Sequence, residues 1–209
     1  MARKKHIPQG QLNRNKIVFK RLNNLMKDLG QNISIRVGII GDKAYQKHPH
    51  TDLTMAELGA IHEFGATINV TDRMRGWFWY NAKVHKSNRP VIIPTRSFLR
   101  MPLLSGEGKR ELNKVINEYL SKDRELNLLE AVKNTKMLRL IAELVAIKAL
   151  QRVQEAFQTS GFGKWASISA FTQMFRKGDA NNNPLNDTGD LMESITAQVK
   201  GDGFEQVLR

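Results

Sequence analysis

The chain has 209 residues, a net charge of +13 and a pI of about 10.1, with 41% hydrophobic and 25% charged residues. That length is enough to bury a real core, as one large domain or one domain with extensions. The charge favours a polyanionic neighbour: nucleic acid, an anionic membrane or an acidic protein surface. There is no cysteine, which excludes disulfides and cysteine-based zinc sites and suits a reducing cytoplasm, and no run approaches the roughly 18 apolar residues needed to span a bilayer.

In chain order, residues 1 to 12 read as a flexible basic arm. It carries Arg3, Lys4 and Lys5 and lacks the apolar core of a signal peptide. The first 36 residues hold nine Lys/Arg and one acid, Asp28, so a net +8 of the total +13 lies at this end. Residues 13 to 209 read as a single α+β domain with an aromatic-basic insertion at 71 to 90. A helix is expected over 14 to 29, where Val18, Leu22, Leu25 and Leu29 form one apolar stripe and Gly30 stops it. Such a basic amphipathic helix either packs on its own protein, the preferred reading, or lies on a membrane. Ile33, Ile35, Val37 and Ile39 alternate with Ser34, Arg36 and Gly38 as a half-buried strand. Residues 42 to 53 read as a loop. Thr54 and Glu57 then form a capping box opening a short helix that ends at Gly65, and Thr67 to Val70 follows as a strand.

The insertion places Arg73, Arg75, Trp77 and Trp79 among Met74, Phe78, Tyr80, Lys83, His85, Lys86 and Arg89. Its alternating aromatics suggest a hairpin or an extended loop. Aromatics interleaved with basic residues suit stacking on single-stranded bases, or, the preferred reading, an anchor on a neighbouring subunit. Val91 to Ile93 is strand-like, and Gly106 and Gly108 mark a turn. Helices are expected over 109 to 121 and, as the longest element, about 125 to 160. On that long helix Met137, Ile141, Leu144 and Val145 lie nearly opposite Leu150, Val153 and Phe157. The buried face is therefore expected to switch midway, giving its two halves different partners. Gly178 to Pro184 is a loop, a short helix begins near Asp190, and Ser194 to Lys200 alternates as a strand. Gly201-Asp202-Gly203 then signals a hairpin turn. The fold class expected is α+β: a small antiparallel sheet packed against helices that include one long one.

Catalytic motifs fail on spacing. His62-Glu63 lacks the second histidine that a zinc protease helix needs, because Ala66 stands there and Gly65 has ended the helix. Gly161-Phe162-Gly163-Lys164 is too short for a phosphate loop, and no Gly-x-Ser-x-Gly elbow occurs. No catalytic, cofactor or metal residue is therefore assigned. For Glu63 the expected role is structural: an ion pair with an arginine such as Arg96 or Arg100 that fixes a loop.

Four separated pieces carry a resemblance. They are Val37-Gly38-Ile39; Ala56-Glu57-Leu58 with Ile61-His62-Glu63-Phe64-Gly65; Ile93-Pro94-Thr95-Arg96-Ser97-Phe98-Leu99-Arg100; and Pro184-Leu185-Asn186-Asp187-Thr188-Gly189-Asp190-Leu191. In this order and spacing the set resembles the tail-completion and virion-morphogenesis proteins of tailed phages, which sit at the neck where head and tail join. The resemblance implies a non-enzymatic structural protein without cofactor, forming a homo-oligomeric ring, commonly a hexamer, that completes the tail. Its partners would be adjacent neck and tail proteins (adaptor or connector, tail terminator, tail tube), with DNA in the channel as a further contact and no membrane. It would be located in the virion after assembly in the host cytoplasm. The resemblance makes His62, Glu63, Phe64, Gly65, Pro94, Arg96, Ser97, Phe98, Leu99, Arg100, Thr188, Gly189 and Leu191 fold and interface determinants. Arg3, Lys4, Lys5, Arg73, Arg75, Trp77 and Trp79 are the candidate contacts to a partner or to DNA. The rival expectation is a basic nucleic-acid-binding protein contacting DNA through residues 1 to 36 and 73 to 89.

Overall fold

The computed structural model describes residues 33–49, 51–83, 90–122, 135–175, 183–185 and 188–209. The basic arm with Arg3, Lys4 and Lys5 and the helix expected over 14 to 29 lie outside the described residues. The elements run β1 (Ser34–Gly38), α1 (Asp42–Tyr45), α2 (Met55–Phe64), β2 (Ala66–Ile68), α3 (Asp72–Ala82), β3 (Val91–Ile93), α4 (Arg100–Leu104), α5 (Gly106–Lys122), α6 (Thr135–Gln158), α7 (Ala170–Phe175), α8 (Asp190–Glu193), β4 (Thr196–Gly201) and β5 (Phe204–Leu208). The fold is α+β. One antiparallel sheet has the order β1-β4-β5, and β2 pairs with β3 in a separate antiparallel ribbon.

The long helix is the floor of the core. Leu138, Ile141, Ala142, Ala146, Ala149, Leu150, Val153, Ala156 and Phe157 are all buried along it. Their spacings of three and four make one continuous stripe, so the switch of face expected midway does not occur. That expectation followed the large residues and passed over the alanines, which fill the central line of the face. Because alanine projects only a methyl group, the helix backbone comes close to the sheet, where Ala197 and Val199 of β4 are also fully buried. Arg152 is buried on the same helix. Its guanidinium reaches Glu155 at 3.0 Å and Glu107 of α5 at 3.5 Å, and it lies over the Phe162 ring.

Local signals explain most of the other boundaries. The capping box is present: the Glu57 N–H donates to Thr54 Oγ1 at 3.2 Å and the Thr54 N–H donates to Glu57 Oε2 at 2.9 Å. The loop expected over 42 to 53 contains α1 and a bridge between Lys47 and Thr54. Gly106 and Gly108 stand inside the first turn of α5 rather than in a turn before it. Ser105 accepts the Gly108 N–H at 3.1 Å, and a Cβ at Gly108 would collide with the Pro102 carbonyl, so the glycine permits α5 to start directly on α4. Asp202 and Gly203 turn β4 into β5 as expected, with Gly201 opposite Phe204.

The single stripe makes a direct prediction. Replacing Ala146, which has no exposed surface, by leucine overpacks the interface with the sheet and costs about 1–3 kcal/mol. Thermal melting should report this as a midpoint several degrees lower. An unchanged midpoint would mean that this stretch of the helix faces elsewhere.

Candidate functional site: a carboxylate clasp and a ribbon arm

Helix α2 delivers the Glu63 side chain into the interior, where the residue is 4% exposed. Five donors converge on its carboxylate. Oε1 accepts from Ser97 Oγ at 2.7 Å, the Arg100 N–H at 3.0 Å and Arg100 Nε at 2.9 Å, and Oε2 accepts from the Phe98 and Leu99 N–H groups at 2.8 and 2.9 Å. The backbone groups among these belong to the entry of α4, whose first N–H groups have no partner within the helix. Glu63 thus serves as an N-cap supplied from another helix, and its charge suits the positive end of α4. Ser97 completes the cap by accepting the Met101 N–H at 2.9 Å. Burial alone would raise the Glu63 carboxyl. The Leu99 N–H, the Ser97 hydroxyl and the Arg100 donors outweigh it and hold the group below its ordinary value.

The neighbouring positions fit the same clasp. The His62 carbonyl accepts the Arg96 N–H at 2.8 Å, and the Phe64 carbonyl accepts Thr95 Oγ1 at 3.0 Å. The Arg100 guanidinium donates to the Glu63 carbonyl at 3.1 Å and covers the exposed Phe64 ring with its carbon 4.3 Å from the centroid. Gly65 has φ 77° and ψ 167°, a region essentially restricted to glycine, and a Cβ there would stand 2.9 Å from Thr95 Oγ1. Arg100 is the arginine that pairs with Glu63. Arg96, also buried, donates to the Ala166 and Ser167 carbonyls at 3.1 and 3.3 Å and so ties the segment to the chain beyond α6.

Phe98 anchors the clasp in the core. It is 1% exposed and packs against Phe157 of α6 with ring centroids 5.3 Å apart; Phe157 in turn meets Trp165 edge-on at 5.8 Å. Leu99 packs against the same cluster, and Pro94 lies between β3 and Thr95. The expected determinants from His62 to Gly65 and from Pro94 to Arg100 are therefore brought together as one unit. The third group joins the core separately. Leu191 is buried, Gly189 takes φ 87°, and the Thr188 hydroxyl donates to Asp190 Oδ2 at 2.6 Å. Asp190 also lies 3.8 Å from His48 Nε2, a contact the sequence did not signal. Among the described residues no three His, Cys, Asp or Glu side chains are placed to hold a metal ion. No helix among them is long and apolar enough to cross a membrane.

His62 is half-buried. Its Nδ1 takes no hydrogen bond among the described residues, and its pKa is pushed down from 6.5 to about 4, chiefly by burial and further by the Arg96 charge. The ring is therefore neutral at pH 7 and packs as part of the structure.

The ribbon leaves the clasp directly. β2 begins at Ala66, one residue past Gly65, and β3 ends at Ile93, one residue before Pro94. The insertion closes this ribbon as a helix, not the hairpin or extended loop expected at 71 to 90; residues 84–89 lie outside the described residues. Thr71 caps α3 by accepting the Met74 N–H at 3.3 Å, and Asp72 pairs with Arg75 one turn on. Lys83 ends the helix in the left-handed region at φ 54°. The alternation of Trp77 and Trp79 is only two residues long, and Met74 with Phe78 supplied the helical spacing that it masked. Arg73, Trp77, Trp79 and Tyr80 are exposed on α3, while Arg75 is half-buried and donates to the Val70 carbonyl at 3.3 Å. The chain matches no protein-family model, no curated protein and no solved structure.

Two predictions test the clasp. Glu63→Gln should destabilise the fold by about 2–4 kcal/mol, because an amide presents a donor where every neighbour donates. Arg100→Gln, at a half-exposed site, should cost no more than about 1 kcal/mol. Urea unfolding at pH 7 separates the two, and equal losses would refute the capping role. Acid should act in two windows. The unfolded chain protonates His62 more readily than the folded one, so stability falls as pH drops from 6.5 to about 4. The depressed Glu63 carboxyl adds a loss below its ordinary value, completed as pH falls through its folded value. His62→Gln should flatten the first window and leave the second, as read from urea midpoints between pH 7 and pH 3.

Proposed function

We propose that this chain is a non-enzymatic structural protein of a tailed-phage particle, a subunit of a ring at the neck that completes the tail and joins it to the head. The carrying observation is the clasp. The two segments that resemble tail-completion proteins, His62 to Gly65 and Ile93 to Arg100, are distant in sequence but form one buried unit in which nearly every position has a geometric task. A scatter of chance matches would not be expected to meet around one carboxylate. The clasp also suits a structural role. Glu63 has both oxygens filled by donors, and His62 is neutral and packed, so neither is placed to act on a substrate.

The ring reading adds subunit contacts and neighbours: homo-oligomerisation, commonly as a hexamer, and docking onto adaptor, terminator or tail-tube proteins. The net charge of +13 would face acidic partner rings or DNA in the channel. The second reading, nucleic-acid binding through residues 1 to 36 and 73 to 89, rests on charge, since a net +8 of the total lies in the first 36 residues.

Particle assembly without the chain decides between them. Under the neck reading, filled heads and finished tails accumulate unjoined, and adding the purified chain restores joining. Light scattering of the chain with heads or tails should then show a joined species. A chain that binds neither particle, yet binds DNA with an affinity falling steeply in salt, would establish the second reading instead.

A further inference from the structure

We propose that α3 is a docking helix whose outward face lies in an acid-rimmed apolar groove of a different protein. The polarity of this helix is inverted. A surface helix ordinarily turns its aromatics inward and its polar residues outward. Here Trp77 keeps 48%, Trp79 49% and Tyr80 77% of its surface exposed, and no residue of Asp72–Asn81 is fully buried. At about 100° per residue, Arg73, Trp77 and Tyr80 share one face. Trp, Tyr and Arg are the residues that carry most of the energy at protein interfaces.

Gly76 supplies the second observation. A glycine inside a helix is less favourable than alanine, and among the described residues nothing lies within 4 Å of a Cβ built there. The described residues place no demand on the glycine. It leaves a notch beside Tyr80, one turn on, where another backbone can approach closely.

Charge selects the partner. Residues 66 to 93 carry Arg73, Arg75, Lys83, Lys86 and Arg89 against Asp72, five basic to one acidic, a net +4. Asp72 is itself paired with Arg75. A second copy would bring like charge against like wherever two of these arms met. Nucleic acid fits less well than protein. Stacking on successive bases needs ring faces arrayed on one platform, whereas Trp77 and Trp79 project about 160° apart around a convex helix. A helix seated in a groove uses such divergent anchors. The inference names the chemistry of a partner and stands without the neck assignment.

The test places the photocrosslinker benzoylphenylalanine at Tyr80 of the full chain, in the cells that naturally make it. The expected result is a crosslink to one different protein, through a peptide rich in Asp and Glu. Arg73→Glu and Gly76→Leu should each lower its yield at least tenfold while helix content and thermal midpoint stay unchanged or rise. A crosslink to nucleic acid, to lipid or to a second copy overturns the proposal. So does the absence of any crosslink, or a protein crosslink that both substitutions leave undiminished. An acidic partner that is not a particle component upholds docking and removes the neck reading. Heads and tails that still need the chain, with Tyr80 crosslinked only to nucleic acid, do the reverse.

Discussion

A buried negative charge with no room for error holds this fold in register. The Glu63 carboxylate has given up water, and five donors from Ser97 to Arg100 replace it. Removing water from a charge is costly, so the arrangement persists only because the replacement is nearly complete. Three of those donors are backbone groups, which no substitution of their own side chains other than proline can delete. The carboxylate therefore specifies how α2 meets the start of α4, and Phe98, carried on the same turn, sets where both meet α6. Specificity of register is the return on a charge whose net contribution to stability is modest.

Much of the frame was legible because its signals are local. Alternation marked β1 and β4, the Thr54–Glu57 pair marked the start of α2, and Gly201-Asp202-Gly203 marked the turn of the last hairpin. Each depends on neighbours within a few residues. That Glu63 would pair with an arginine was legible for a different reason, since a carboxylate beside a basic chain has few acceptable fates other than pairing; which of Arg96 and Arg100 it would choose was not. That its main partners would be backbone N–H groups was not legible, since every residue carries one.

What escaped reading depended on small or weakly patterned residues. Ala142, Ala146, Ala149 and Ala156 decide which face of the long helix is buried. Alanine gives almost no amphipathic signal, so the larger Met137, Leu144 and Leu150 suggested a switch that the packing does not make. In the insertion, two tryptophans at strand spacing outweighed the helical spacing of Met74 and Phe78. The cap from Thr71 and the Asp72–Arg75 pair settled the matter locally as helix. Residues such as Arg96 and His48 find partners far along the chain, in Ala166, Ser167 and Asp190, and no periodicity encodes such meetings.

The roots of the ribbon have a mechanical consequence. Both strands start or end one residue from the clasp, at Gly65 and at Pro94. A pull applied at α3 runs down β2 and β3 and arrives at both halves of the clasp together. The hydrogen bonds around Glu63 are then strained in parallel, and a joint loaded in parallel yields only when many bonds fail at once. The arm is thus rooted in the clasp, and Phe98 hands the load on to α6 through Phe157.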